Sequence, residues 1–155
     1  MLDKNLLLVD IGGTNIRYAY SNIGDHSFVS ENKAELESLN DFDNLISELL
    51  ANSVVKNIVF SVAGPSVNNS IKMTNRNFQI DADAIRKRFN LESCHLLNDW
   101  ESIGYSIKTF SENDFDDFKE GIPFNDNFLV IGPGTGLGAS VISGNNVIAT
   151  EIGLS

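Results

Sequence analysis

The apolar positions of this chain change spacing several times, and each change marks an element. Leu6-Leu7-Leu8-Val9-Asp10-Ile11 is a nearly unbroken apolar run closed by Gly12-Gly13, the pattern of a strand buried on both faces. Residues 15–21 alternate, and residues 27–34 supply a third strand. Short turns at Gly12-Gly13 and near residues 22–26 make the three an antiparallel meander. The period then lengthens: Phe42, Leu45, Ile46, Leu49 and Leu50 fall on one stripe of a helix over 41–51, with Asn40 or Asp41 placed to cap it. Residues 57–63 form another buried strand, stopped by Gly64-Pro65. Strand, helix and strand in this order predict a crossover, with the new strand parallel to its partner.

A turn-rich piece with Ile71, Met73 and Phe78 reads as a hairpin. Asp81 then caps a helix bearing Ala82, Ile85 and Phe89. Cys94-His95-Leu96-Leu97 is a short strand, and Asn98-Asp99 opens a helix bearing Ile103 and Ile107. Residues 111–127 are acidic, are interrupted by Gly121-Ile122-Pro123, and read as a surface excursion. Three strands follow, at 128–131, 138–143 and 146–150. The expected fold class is α/β, a mixed sheet with flanking helices. A small domain over 1–110 and an acidic connection over 111–127 precede the opening strands of a second domain over 128–155.

Composition narrows the function. The chain has 155 residues, 42% of them hydrophobic, with ten phenylalanines, which is globular rather than disordered. Twenty-one acidic against eleven basic residues give a net charge of −10. Such a surface repels nucleic acid and anionic membrane, so the expected partner is a small molecule. The single cysteine, Cys94, excludes an intrachain disulfide and suits a reducing cytoplasm. It is adjacent to His95, but neighbours on a strand point to opposite faces, so Cys94 reads as core. The first apolar run is too short for a signal sequence, and no stretch has the length of a membrane span.

Three constellations carry chemistry. In Asp10-Ile11-Gly12-Gly13-Thr14-Asn15-Ile16-Arg17 a carboxylate ends a strand and two glycines expose their amides, with a threonine hydroxyl beside them. Oriented amides hold anions, and Asp10 can hold Mg²⁺ through water; a plain hairpin with Asp10 paired to Arg17 is the alternative. Gly132-Pro133-Gly134-Thr135-Gly136-Leu137-Gly138 joins two strands. It has neither the Gly-Lys-Ser/Thr ending of a P-loop nor a dinucleotide fingerprint, and reads as a donor-rich phosphate loop or a glycine-rich hairpin. Asn98-Asp99 stands where a strand becomes a helix. Asp99 is there either an N-cap or a general base. A helix N-terminus weakens a base, which phosphoryl transfer tolerates.

Taken together, Asp10-Ile-Gly-Gly-Thr-Asn-Ile-Arg17, Met73-Thr-Asn75, Leu97-Asn-Asp-Trp100 and Gly132-Pro-Gly-Thr-Gly-Leu-Gly138 resemble, in order and spacing, the bacterial glucokinase family, over residues 6–153. The resemblance implies a ribonuclease-H-like (actin-like ATPase) fold and transfer of the γ-phosphoryl of ATP to the 6-hydroxyl of glucose, the first step of glycolysis. It makes Gly12, Gly13 and Thr14, within the motif that includes Asn15 and Arg17, the first phosphate loop, and Gly132, Gly134, Thr135 and Gly136 part of the second. Asp10 would assist Mg²⁺, Asp99 would be the catalytic base, and Asn98 would contact sugar hydroxyls. Asn75 is carried over as a substrate residue, and Glu151 falls where the family's Glu-Gly-Gly-His motif meets the sugar.

Ile152 and Leu154 depart from that last motif, which opens the substrate to a related hexose or an amino sugar. Family members are about twice as long, so the chain is expected to be an incomplete fragment. Self-association into a homodimer is the hypothesis for its assembly. Two other classes compete: a non-catalytic sugar sensor, which has no need of Asp99, and a metal-dependent nuclease using Asp10 and Asp99, which the acidic surface disfavours.

Overall fold

The computed structural model describes residues 3–12, 15–35, 38–51, 53–73, 79–119, 121–122, 124–133 and 137–152, with backbone only at 39, 40, 151 and 152. It divides into two compact units, Met1–Asp99 and Trp100–Ser155.

The first unit is built on a five-stranded mixed sheet. β1 (Leu6–Ile11), β2 (Asn15–Ser21) and β3 (Val29–Glu35) form the expected antiparallel meander. α1 (Leu39–Ala51) then carries the chain across to β4 (Asn57–Val62), parallel to β1. A small sheet of β5 (Ser66–Val67), β6 (Ser70–Lys72) and β7 (Gln79–Asp81) follows in place of the expected hairpin. α2 (Ala82–Arg88) leads to β8 (Ser93–Asn98), parallel to β4. The order β3-β2-β1-β4-β8 is the ribonuclease-H-like arrangement expected.

Burial explains the pattern. Leu7, Val9 and Ile11 of β1, Ile58, Phe60 and Val62 of β4, and Cys94 and Leu96 of β8 join one core with Phe42, Ile46 and Ile85 of the helices. The Phe42 and Phe60 rings meet at 5.7 Å between centroids in a tilted contact, an arrangement aromatic pairs favour. The cap of α1 differs from expectation. The helix begins two residues earlier, and Ser38 is its cap: Asp41 N–H donates to Ser38 Oγ (3.2 Å) while Ser38 N–H donates to Asp41 Oδ2 (2.8 Å). This reciprocal pair satisfies two donors that the helix leaves open. Asp81 caps α2 as expected, accepting from Ala84 N–H at 2.9 Å.

β8 is the outer strand of the sheet. Against it lies Asn69, in the left-handed region at φ 55°. Its carboxamide donates to Cys94 O (3.1 Å) and accepts from Leu96 N–H (3.1 Å), as a neighbouring strand's peptide would.

The second unit carries α3 (Asp99–Ser106) from its second residue, two 3₁₀ turns (Ile107–Thr109 and Glu112–Asp114), and an antiparallel sheet of β9 (Asn127–Pro133), β10 (Leu137–Ser143) and β11 (Asn146–Ile152). By compactness the chain divides after Asp99, the first residue of α3. The cause is the seating of α3: a methyl on Gly104 would lie 2.8 Å from Ser140 Oγ, so the helix backbone rests directly on β10. Gly104 is the buried residue of α3, and Ile103 is 39% exposed. Among the described residues no helix is long and apolar enough to cross a membrane.

Two predictions follow from this packing. Burial, and secondarily the charge of Asp83, push the Cys94 thiol up to about 12 from its ordinary 9.0. Between those values the unfolded chain has lost the thiol proton and the folded chain has kept it, so this group's stabilising share falls as pH rises. At pH 9, alkylation of Cys94 in native protein is expected to lag far behind that in urea-unfolded protein; equal rates would contradict the burial. Ser140 is fully buried and its hydroxyl has no hydrogen-bond partner among the described residues. A buried orphan hydroxyl costs about 1–3 kcal/mol, so Ser140→Ala should raise the urea midpoint rather than lower it.

Candidate functional site

Parallel pairing sets the register of three strand ends. Ile11, Val62 and Asn98 are aligned across β1, β4 and β8, and one step earlier Asp10, Ser61 and Leu97 are aligned. Strands in a sheet lie about 4.8 Å apart, so the outer two of this triple are about 10 Å from each other. Ligands of open α/β sheets bind outside such carboxyl ends, where the connections diverge. Here the chain leaves β1 by a hairpin, β4 by a loop at Gly64, and β8 straight into α3.

On β1 the alternation buries Val9 and Ile11 and leaves Asp10 exposed between them. Arg17 is directly opposite Asp10 on β2 and also exposed, yet no ion pair joins the two among the described residues. The turn that follows is closed by Gly12 N–H donating to Asn15 O at 2.9 Å. Among the described residues, a side chain at Gly12 would meet only Asn15 O, at an ordinary 3.5 Å. The described residues therefore set no steric demand for glycine there. Gly13 and Thr14 lie outside the described residues, as does Asn75.

Asn98 ends β8 and is 5% exposed. Its Nδ2–H donates to Gly64 O at 2.9 Å, which ties the exit of β8 to the exit of β4. Gly64 has φ 139°, a conformation that glycine alone adopts readily. The sequence marked Gly64-Pro65 only as a strand stop, and nothing in it signalled this bond. Asp99 is the first residue of α3 and is half-buried.

The second glycine segment is shorter as a loop than its sequence suggests. Gly132 and Pro133 belong to β9, Leu137 and Gly138 to β10, and Pro133 pairs with Leu137. Only residues 134–136 connect them; Gly134, Thr135 and Gly136 are outside the described residues. Gly132 and Gly138 face each other across the pair, and a methyl on either would overlap the Trp100 indole. The ring's Nε1, Cδ1 and Cε2 cover Gly138, and Cζ2, Cη2 and Cζ3 cover Gly132. These two glycines are thus required by packing. Glu151 pairs with Gly138 from the other side.

The two kinds of glycine separate experimentally. Overpacking costs typically about 1–3 kcal/mol, so Gly138→Ala should lose stability of that order in urea unfolding. Gly12→Ala should stay within about 0.5 kcal/mol of the parent, the usual range for sites free of such conflicts. The reverse ranking would refute the packing described.

The glucokinase family model matches residues 7–153. The glucokinase of Campylobacter jejuni subsp. doylei is 31% identical over an alignment of 147 positions, with 86% of this chain and 41% of that protein covered. The glucokinase of Nostoc punctiforme is 29% identical over 150 residues, with 91% of this chain and 44% of that protein covered. The chain therefore spans less than half the length of these curated relatives. Among solved structures, a glucokinase from an Antarctic psychrotroph superposes with a TM-score of 0.76 at 24% identity, over 97% of this chain and 51% of that one. The Balamuthia mandrillaris glucokinase in complex with glucose gives 0.75 at 20% identity, over 96% and 48%. At these identities the structures establish the fold, and the sequence match establishes the kinship: the chain belongs to the glucokinase family.

Proposed function

We propose that the protein serves the transfer of the γ-phosphoryl group of ATP to the 6-hydroxyl of glucose, the opening step of glycolysis, in the cytoplasm. The observation that carries this reading is the convergence at three neighbouring strand ends. Asp10 and the Gly12 turn lie at the end of β1, Gly64 lies two residues past the end of β4, and Asn98 ends β8 with Asp99 opening α3. Gly12 adds weight because, among the described residues, a side chain there would make only an ordinary contact with Asn15 O, at 3.5 Å. A phosphate can approach the backbone there.

In this reading Asp99 accepts the proton of the sugar hydroxyl as its oxygen attacks the γ-phosphorus, and the bond from that phosphorus to the bridging oxygen breaks to release ADP. The start of α3 favours the carboxylate form of Asp99, which is the form that accepts a proton. Asn98 holds the β4 exit through Gly64 and orients the sugar beside it. Amides of the Gly12 turn and of residues 134–136 would receive the phosphates, and Glu151 and Asn75 would contact the sugar. Asp10 would hold Mg²⁺ through water. The described residues contain no cluster of three or more metal-ligating groups, and a single carboxylate suits an ion that keeps most of its waters and shares the nucleotide's phosphates. The metal supplies neutralisation of phosphate charge.

Hexose-dependent ADP release, measured by a coupled assay on the protein as its gene encodes it, tests the proposal. Glucose, other hexoses and amino sugars belong in the panel, because Ile152 and Leu154 stand where the family has glycine and histidine. Asp99→Ala is expected to lower the rate about 10²–10⁴-fold. Sugar binding with no ADP release would instead support a sugar sensor.

A further inference from the structure

We propose that Ser61 is a positioning residue for the divalent cation at Asp10, its hydroxyl holding one of the waters through which that carboxylate binds the ion. The inference rests on the reading of Asp10 as the cation's residue.

Ser61 is a polar exception in an apolar strand. In Ile58-Val59-Phe60-Ser61-Val62 every other side chain is apolar. The remaining polar residue of β4, Asn57, is engaged at both ends of its carboxamide, donating to Asn5 O and accepting from Ser93 Oγ. Ser61 is half-buried, and the fold gives its hydroxyl no hydrogen-bond partner among the described residues. A hydroxyl partly withdrawn from water and left without a protein partner adds nothing to stability.

The sheet decides where that hydroxyl stands. Val9, Ile11, Phe60 and Val62 are in the core, so Asp10 and Ser61, which alternate with them, share the opposite face. Parallel register sets the two side by side, one residue before the last of β1 and of β4. Neighbouring strands lie about 4.8 Å apart, and two hydrogen bonds of about 2.8 Å meeting at one oxygen span up to about 5.6 Å. A single water thus has the reach to join the two side chains. The other neighbour of Asp10 in this row is Arg17, exposed on β2, whose charge repels a cation. Beyond Ser61 the row continues with Leu97, which carries no charge. The Ser61 side of the carboxylate is therefore the one that favours an ion. An ion that keeps its waters is oriented by the groups that hold those waters.

The test is calorimetric titration, with ADP, of the protein as its gene encodes it, once with Mn²⁺ standing in for Mg²⁺ and once with EDTA. Ser61→Ala should raise the Kd of Mn²⁺–ADP about tenfold, as loss of a group that orients a metal's ligands does, and leave that of metal-free ADP within about twofold. Ser61→Thr, which keeps the hydroxyl, should restore the Mn²⁺ value to within about threefold of the parent. In an Asp10→Asn background Ser61→Ala should add no further loss, because both residues act on one ion. The urea midpoint of Ser61→Ala should not fall, which separates the effect from a damaged fold. Unchanged Mn²⁺–ADP affinity, equal weakening with and without metal, additive losses, a lowered urea midpoint or no rescue by threonine would each overturn the inference, as would a parent that binds no Mn²⁺–ADP. A parent that shows the Ser61-dependent affinity but releases no ADP with any hexose would sink the kinase reading and leave the role of Ser61 standing.

Discussion

Everything at the candidate site depends on the register of β1 against β4 and of β4 against β8. Side chains on a strand alternate with period two, so a slip of one residue exchanges the faces of the whole strand. For β1 that would bury Asp10 and expose Leu7, Val9 and Ile11, which are now in the core. The hydrophobic demand of those three residues therefore decides where a single carboxylate points. The same demand from Cys94 and Leu96 sets β8, and with it the point at which Asn98-Asp99 emerges.

Much of this was legible in the chain. Nearly unbroken apolar runs at Leu6–Ile11 and Asn57–Val62 announced central strands, because a strand covered on both faces needs them. The stripe of Phe42, Leu45, Ile46 and Leu49 announced α1. What escaped were features made by shape complementarity at a distance. Nothing in the sequence marked Gly104 as the buried residue of α3, where the helix sits closer to Ser140 than any side chain would allow. The cap of α1 at Ser38 was missed because the apolar period starts only at Phe42, while the helix starts earlier. The three-stranded unit formed by β5, β6 and β7 is too short for periodicity to resolve.

At the site, the positions of Asp10, Asn98 and Asp99 at strand ends could be inferred from the runs that precede them. The reasons for the individual glycines could not. Gly12, Gly64, Gly132 and Gly138 look alike in sequence, yet they answer three different physical demands. Among the described residues a side chain at Gly12 would make only an ordinary contact with Asn15 O, Gly64 takes a backbone conformation closed to other residues, and Gly132 and Gly138 make room for one aromatic ring. A motif rich in glycine thus mixes positions kept for a ligand with positions kept for the fold. A residue outside the loop, Trp100, tells them apart.

The carboxamide of Asn69 has a consequence beyond its two bonds. An outer strand with open amides and carbonyls invites a strand from another molecule. On β8, Asn69 occupies one such acceptor and one such donor, at Cys94 and Leu96. The core strand that supports the site therefore ends its sheet without offering a continuous template for intermolecular pairing. Resistance to aggregation in this unit is written into one side chain of a turn, not only into the repulsion of a surface with a net charge of −10.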